Sequence, residues 1–196
     1  MDLIPLRAGW MTISGSVRDH NEDAIGIYER DEAALYVIAD GVGGAEAGEL
    51  VSAFAIRYVL TQFHNAPDDH WSALFRDALD SINAEVRRFT EDSARQTGRE
   101  FRAGSTFTGV VIDGWKATVA HVGDSRLYRW RDGVAVVMTE DHSRAPNDDP
   151  TAAKHNVLMR GIGKDEYVRP DVFTLDLQPD DRLLLCSDGM SDKIGE

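Results

Sequence analysis

The sequence is poor in several features that define particular classes of protein. It contains one cysteine, Cys186, which excludes an internal disulfide and a cysteine-based zinc site and agrees with a reducing compartment. It has no run of about 18 apolar residues that could cross a bilayer. Its first residues, with Asp2 and Arg7 but no long apolar block, do not form a secretory signal. These absences predict a soluble, cytoplasmic protein.

Basic residues are also scarce. The 196 residues include 21 Lys and Arg against 34 Asp and Glu, so the formal net charge is −13. Because affinity for nucleic acids depends on basic side chains that neutralise phosphates, this balance argues against nucleic acid and against an anionic membrane as partners. The same charge repels anionic substrates. Any phosphate chemistry in this protein therefore has to bring its own cations.

The hydrophobic pattern predicts strands, then two helices, then strands again. The stretches MTISGSV, AIGIYER and ALYVIAD alternate like strands, whereas apolar residues recur with helical spacing over 50–59 and 74–89. Pro67-Asp68 is a plausible start for the second helix. After Gly104, the pairs Asp113-Gly114 and Asp132-Gly133 predict two hairpin turns. The order predicts an α+β protein in which antiparallel sheets stack and helices cover an outer face, within a single domain over residues 1–196.

Three apolar strands end in an aspartate. Asp40 follows LYVIA, Asp124 follows VAHVG and Asp188 follows LLLCS. A carboxylate beside a hydrophobic interior is costly unless it is hydrogen-bonded or paired with a cation, and few basic residues lie near in sequence. One such residue is typical of a turn, but the recurrence favours a site for Mg²⁺ or Mn²⁺, which prefer oxygen ligands.

Other candidate chemistries find little support. A cysteine phosphatase needs an arginine six residues after its cysteine, where this chain has Asp192, so Cys186 is interpreted as a core residue. No G-x-S-x-G elbow is present. His121, inside a strand, is interpreted as a buried structural histidine, and His142 as a hydrogen-bonding residue of a loop at a strand end.

Six motifs, read together, resemble the metal-dependent type 2C protein phosphatases, and the bacterial branch of that family most of all. They occur in the family's order from about Ser14 to Asp192. The motifs are Arg18-x-x-Asn-Glu-Asp23, Ala39-Asp-Gly-Val-Gly-Gly44, Gly104-Ser-Thr106, His121-Val-Gly-Asp-Ser-Arg126, Thr139-Glu-Asp-His-Ser143 and Ser187-Asp-Gly189.

The resemblance implies a four-layer αββα sandwich with a dinuclear metal centre at one edge of the sheets. It implies that Asp40 bridges two Mn²⁺ or Mg²⁺ ions and that the carbonyl of Gly41 binds one of them. By the same likeness Glu22 acts through a bound water and Asp188 binds the other ion. A metal-activated water would then hydrolyse phosphoserine or phosphothreonine.

The resemblance also implies roles for four more residues. Arg18 would grip the substrate phosphate, through the paired hydrogen bonds that a guanidinium donates. Asp23 is an acidic companion to Glu22, while Asp124 and Asp192 match positions for a third, more weakly held ion. The implied partners are phosphorylated proteins, the targets of a serine/threonine kinase.

The chain departs from the family pattern at its end. The family continues into a Gly-x-x-Asp-Asn segment whose Asp completes the metal pair, whereas this sequence stops at Glu196. We therefore expect either a domain truncated at its C-terminus, without its last strands, or a natural short form with fewer metal ligands. Two other functions stay open: an inactive phosphatase-like module that binds phosphoproteins or a regulatory partner, and a metal phosphoesterase for small molecules.

Overall fold

The computed structural model describes residues 4–15, 19–43, 45–67, 70–144 and 157–194. Eleven strands and three helices follow one another along these residues. In chain order they are β1 (Asp23–Glu29), β2 (Ala33–Val42), α1 (Ala45–Asn65), α2 (Trp71–Thr97), β3 (Gly104–Ser105), β4 (Phe107–Asp113), β5 (Lys116–Val122), β6 (Arg126–Arg131), β7 (Val134–Val137), β8 (Ser143–Arg144), β9 (Val157–Leu158), β10 (Asp171–Asp176), β11 (Arg182–Cys186) and α3 (Asp188–Ile194).

The larger of two main sheets is antiparallel throughout. Its strands lie in the order β1-β2-β4-β5-β10, with the short β3 paired to the end of β2. A hairpin connects β4 to β5 beside the predicted pair Asp113-Gly114, but its two turn residues are Gly114 and Trp115, because Asp113 still pairs with Lys116 as the last residue of β4. Gly114 has a positive φ of 54°, which suits a tight hairpin turn. Strands β2 and β4 are central in the sheet, and all residues of β4 before Asp113 are buried, so the residues at their ends are held by neighbouring strands on both sides.

Helices α1 and α2 both pack on one face of this sheet. Their apolar stripes meet the inward side chains of β2, β4 and β5 in the main core, which includes Phe63, Phe75 and Phe107. Two residues of the predicted helical stripes do not join it: Leu50 is 61% exposed and Phe89 is 40% exposed. The apolar faces of the two helices therefore lie where the sequence predicts them, but fewer of the predicted residues are buried.

The start of α2 differs from the start predicted at Pro67-Asp68. The helix begins at Trp71, whose buried side chain donates from Nε1 to Asp113 Oδ2 at 2.9 Å. This contact with the β4–β5 hairpin fixes the first turn, since His70 provides no side-chain cap. The helix ends at Thr97. Gly98 caps it in the left-handed conformation, and its N–H donates to the carbonyl oxygen of Ala94.

A second, three-stranded antiparallel sheet lies on the other face of the larger one. Its order is β11-β6-β7, and the hairpin predicted at Asp132-Gly133 joins β6 to β7. Leu127 of β6 and apolar residues of β11 pack against Val110 and Val119 of the larger sheet. Together they form a second core, separate from the one under the helices. The predicted α+β class, with two stacked antiparallel sheets and helices on an outer face, is confirmed. Within the described ranges, both long helices belong to the layer on the larger sheet.

The strand predicted at MTISGSV is wrong for the part that is described. Residues 11–15 form no strand, and the rest of the stretch lies outside the described residues. Thr12 instead accepts a hydrogen bond from Asn21 Nδ2 at 2.7 Å, so its side chain is engaged by a loop. The prediction failed because an alternating pattern does not by itself supply a neighbouring strand with which the segment can pair.

No helix in the described ranges is both long enough and apolar enough to span a membrane.

Candidate metal centre

The aspartates at the strand ends meet at one edge of the sandwich. Asp23 begins β1 and lies directly opposite Asp40 near the end of β2. Asp124 comes two residues after β5, and Asp188 begins α3, two residues after β11 ends. The charges of Asp23, Asp188 and Asp124 all act on the Asp40 carboxyl group, so these acids lie within electrostatic reach of it. The structure therefore brings together acids contributed by both sheets.

The backbone of Asp40 is held from two directions. Its N–H donates to Thr106 Oγ1 at 2.9 Å, and its carbonyl oxygen accepts from the Thr106 N–H at 2.8 Å and from Ser105 Oγ at 3.0 Å. Thr106 Oγ1 also shares a buried hydrogen bond of 2.8 Å with Ser125 Oγ, next to Asp124. These hydroxyls tie the two strand ends to each other, so the positions of Asp40 and Asp124 are coupled through buried bonds.

The site raises the pKa values of its most enclosed acids. Burial, followed by the charges of Asp23, Asp188 and Asp124, raises the pKa of Asp40 to about 8, and a hydrogen bond with Asp188 adds to the shift. Burial and then Asp188, with Asp141 and Asp192 adding to it, raise the pKa of Asp124 to about 6. Burial and the charges of neighbouring acids therefore favour the protonated forms of Asp40 and Asp124.

The donor chemistry of this site fits a divalent cation. Buried carboxylates that repel one another regain their charged forms when a cation lies between them, and they are the hard oxygen ligands that Mg²⁺ and Mn²⁺ prefer. In the described ranges, however, no three His, Cys, Asp or Glu side chains already converge closely enough to hold an ion. The acids at this edge are therefore close enough to influence one another electrostatically, but within the described ranges they are not arranged as a preformed ligand set.

Glu22 and Gly41 lie where the first strands meet helix α1. The carbonyl of Glu22 accepts hydrogen bonds from the Gly41 N–H at 3.0 Å and from Ser52 Oγ at 2.6 Å. A Cβ atom at Gly41 would lie 2.1 Å from the carbonyl oxygen of Gly48, and one at Gly48 would lie 3.0 Å from Glu22 Oε1. Only glycines permit this approach, which places the Glu22 carboxylate beside the first turn of the helix.

The two remaining predicted ligands lie at the edge of this group. Asp23 Oδ2 accepts a hydrogen bond from Ser187 Oγ at 2.8 Å, and this bond joins the larger sheet to the end of β11. Asp192 is an exposed residue of α3 that contributes to the raised pKa of Asp124. Arg18, predicted to bind the substrate phosphate, lies outside the described residues.

Sequence reasoning missed the residues that support the site. Thr106 and Ser125 stood inside quoted motifs, yet their hydroxyls gave no sign of bonding to each other across the fold. Ser187 gave no sign that it would reach Asp23. Gly48 had a detectable signal, because it belongs to a glycine-rich stretch at the start of a helix, and close backbone approach is one reason for such a stretch.

The interpretations of the histidines and the cysteine agree with their surroundings. His121 and Cys186 are buried, as expected of core residues. Burial and the neighbouring His142 lower the pKa of His121 to about 4, and burial lowers the pKa of His142 despite its hydrogen bond with Asp171. Both rings are therefore neutral structural groups.

Comparison with known proteins assigns this fold and site to a family. The sequence profile of the protein phosphatase 2C family matches residues 16–196. The chain belongs to this family.

Named bacterial relatives agree with the assignment. The chain is 29% identical to the serine/threonine phosphatase stp of Listeria monocytogenes over 97% of its own length and 80% of that protein. It is 30% identical to the serine/threonine protein phosphatase PstP of Mycobacterium tuberculosis, of which it spans 36%. The crystal structure of the serine/threonine phosphatase Stp1 from Staphylococcus aureus superposes with a TM-score of 0.83 at 30% identity, covering 99% of this chain and 81% of the other. The predicted family and enzyme class, a protein serine/threonine phosphatase of the bacterial type 2C branch, are confirmed.

Proposed function

We propose that this protein removes phosphate from phosphoserine and phosphothreonine in other proteins with the help of two Mn²⁺ or Mg²⁺ ions. The observation that supports this function is the grouping of Asp23, Asp124 and Asp188 around Asp40, where burial and the charges of neighbouring acids raise the pKa values of Asp40 and Asp124. Raised pKa values of acids in one cluster are typical of functional sites. A divalent cation between such carboxylates would offset their mutual repulsion.

The ligand set follows from position and from the family pattern. Asp40 lies centrally among the acids and is the proposed bridge between two ions. Asp188, whose side chain lies within hydrogen-bonding reach of Asp40, and the carbonyl of Gly41 are its proposed companions, and Glu22 is proposed to act through water. When bound, the ions lower the pKa of a water and offset charge on the phosphoryl oxygens.

The protein's own contribution is positioning. The hydrogen bonds from Thr106 and Ser105 keep the main chain of Asp40 in place, and the bond from Ser187 orients Asp23. The ligands consequently need little reorganisation beyond side-chain rotation when ions bind. Asp124 and Asp192 are proposed to hold a third, weaker ion.

The substrate class rests on the relatives. The serine/threonine phosphatases named above act on phosphorylated serine and threonine, and we propose the same for this chain, with kinase targets as its protein partners. Arg18 is the proposed phosphate ligand, from its place in the Arg-x-x-Asn-Glu-Asp motif.

Hydrolysis of a phosphothreonine peptide in Mn²⁺, compared with an Asp40→Asn control, tests the proposal. We expect phosphate release by the wild type alone. Binding of the peptide without release would instead indicate an inactive module, and much faster cleavage of small phosphate esters would indicate a small-molecule phosphoesterase.

A further inference from the structure

The peptide that leads into Asp124 is held by a residue outside the acidic cluster. The Gly123 N–H donates to His142 Nδ1 at 3.2 Å, and the Gly123 carbonyl oxygen accepts from the His142 N–H at 2.7 Å. Both polar groups of one residue are therefore satisfied by one partner. On its other side, a Cβ atom at Gly123 would lie 2.6 Å from Thr106 Cβ. Gly123 is enclosed between His142 and Thr106.

This geometry fixes the tautomer of His142. A backbone N–H can only donate, so Nδ1 must accept and carries no proton. The ring proton consequently lies on Nε2, which donates to Asp171 Oδ2 at 3.0 Å. Arg160 Nη1 donates to the other oxygen, Asp171 Oδ1, at 2.9 Å. Arginine, aspartate and histidine thus form a chain whose last member accepts from Gly123.

The ring has no freedom to leave this position. The His142 side chain is 1% exposed, and it packs on His121 with 4.7 Å between ring centroids. His121 is itself fixed, through contacts of 2.9 Å with Thr108 Oγ1 and 3.0 Å with the Glu140 carbonyl oxygen. The carbonyl oxygen of His142 also accepts the N–H groups of Met159 and Arg160. The two histidines form a rigid wall behind the Gly123–Asp124 peptide.

We propose that His142 is a positioning residue of the phosphatase: by holding the Gly123 peptide it sets the position of Asp124 for a divalent cation. The inference rests on the proposed metal centre and adds to it a residue that touches neither metal nor substrate. Gly123, which precedes Asp124, has φ of 119°, and the partner that holds its peptide by two hydrogen bonds fixes the direction in which Asp124 leaves it. His142 is that partner, and Asp171 and Arg160 orient it. Orienting partners of this kind typically change metal affinity by about 10- to 100-fold.

Two nearly isosteric variants separate this role from simple packing. In His142→Asn the side-chain Oδ1 occupies the place of Nδ1 and still accepts from Gly123, but the contact with Asp171 is lost. In His142→Gln the side-chain amide takes the place of Nε2 and keeps the contact with Asp171, but the acceptor for Gly123 is lost. A packing role predicts similar behaviour of the two variants.

The first measurement is Mn²⁺ binding without substrate, by titration calorimetry on wild type, both variants and Asp124→Asn. The binding that Asp124→Asn removes defines the Asp124-dependent component. We expect this component to weaken about tenfold in His142→Gln, the lower end of the usual range because the effect passes through the backbone. In His142→Asn it should stay close to wild type.

The second measurement, hydrogen exchange at the Gly123 amide, needs no metal. Protection should persist in His142→Asn and be lost in His142→Gln, with melting temperatures recorded to confirm that both variants fold. Equal protection in the two variants, equal Mn²⁺ affinity, or no Asp124-dependent component in a wild type that binds Mn²⁺ would each overturn the inference. Failure of the wild type to bind any Mn²⁺ would instead contradict the proposed function, and that result is visible without any variant.

Discussion

Two groups of aspartates in this protein experience opposite environments. Asp171 and Asp181 lie beside arginines: although burial opposes the effect, hydrogen bonds from Arg160 and His142 lower the pKa of Asp171, and the two-pronged contact of Arg131 lowers that of Asp181. Asp40 and Asp124 lie among other acids, and their pKa values are raised. Arginine and histidine side chains of the protein offset the charges of the first group. For the second group we propose that a bound cation does so.

This difference separates structural acids from functional ones better than burial does. The Asp181 side chain is 4% exposed and would pass for a functional residue on that measure alone, yet Arg131 satisfies both of its oxygens. The shift in pKa reports whether the charge of an acid is compensated. The following predictions test that distinction.

The largest expected effect is on catalysis, when the central acid of the uncompensated group is changed. We expect Asp40→Asn to lower kcat/KM on a phosphothreonine peptide by roughly 10³-fold or more, because the ion contributes several kcal/mol and each 1.36 kcal/mol is tenfold in rate. Asp181→Asn, in the compensated group, should lower the melting temperature but leave kcat/KM of the folded protein unchanged. Near-normal activity of Asp40→Asn would contradict the distinction.

The second effect is on the pH dependence of stability in metal-free protein. The folded-state pKa of Asp40 is about 8, above its usual value near 3.8. Between those values the folded state binds the proton more tightly, so its contribution is present at low pH and is lost as pH rises toward 8. We expect the free energy of unfolding of wild type, relative to Asp40→Asn, to fall by a few kcal/mol over this interval.

Measuring the difference between the two proteins removes other contributions. His121 and His142, whose pKa values are lowered, act in the opposite sense as pH falls below about 6.5. Asp171 also acts in the opposite sense, and its stabilisation is lost when pH falls through its own lowered pKa. Urea unfolding in EDTA from pH 4 to pH 8 provides the measurement, and parallel curves for the two proteins would show that the pKa of Asp40 is not raised by burial and by its acidic neighbours.

A third effect is the stabilisation of the folded protein by the proposed cation. At a free Mn²⁺ concentration 100 times the dissociation constant, the free energy of unfolding should rise by about 2.7 kcal/mol, and EDTA should reverse the gain. Thermal melting with and without Mn²⁺ measures it. The gain should disappear in Asp40→Asn and persist in Asp181→Asn; a gain of equal size in both would place the ion elsewhere.

The smallest expected effect is a loss of stability when an acid that is paired with an arginine loses that partner. Arg126 donates from Nε and Nη2 to the two oxygens of Asp141 at 2.9 and 2.7 Å, and both side chains are mostly buried. We expect Arg126→Met to destabilise the protein by about 1–2 kcal/mol, because Asp141 loses its partner. Adding Asp141→Asn should recover part of that loss in urea unfolding, and additive losses would show that the pair does not interact.

The sequence was sufficient for the order of elements and for the acids themselves. Periodicity located both long helices, the Asp-Gly pairs located two hairpins, and Asp40, Asp124 and Asp188 stood out because each follows an apolar run. What made these signals readable is their local nature, since the pattern and the turn residues lie within a few positions of each other.

The supporting contacts were not predictable because they join residues that are distant in sequence. Ser187 bonds to Asp23 across 164 positions, and Asn83 Oδ1 accepts from the Gly163 N–H across 80. The true start of α2 depends in the same way on Trp71 reaching Asp113. His142 was predicted to form hydrogen bonds near a strand end, but its partner Gly123 became visible only once β5 and the loop after β7 lay side by side.

The acids of the cluster come from two sheets, so the core between these sheets determines how far apart the acids are held. Asp40 belongs to the larger sheet, whereas Asp188 follows β11 of the smaller one, so the packing of the two sheets sets the separation of the main-chain positions that carry these two carboxyl groups. The core between the sheets includes Val110, Val119 and Leu127. A change of one methylene group in these side chains alters the packing of a close-packed interior. We therefore expect substitutions in this inner core to change the affinity of the proposed metal centre for its ion, although the substituted residues do not contact it.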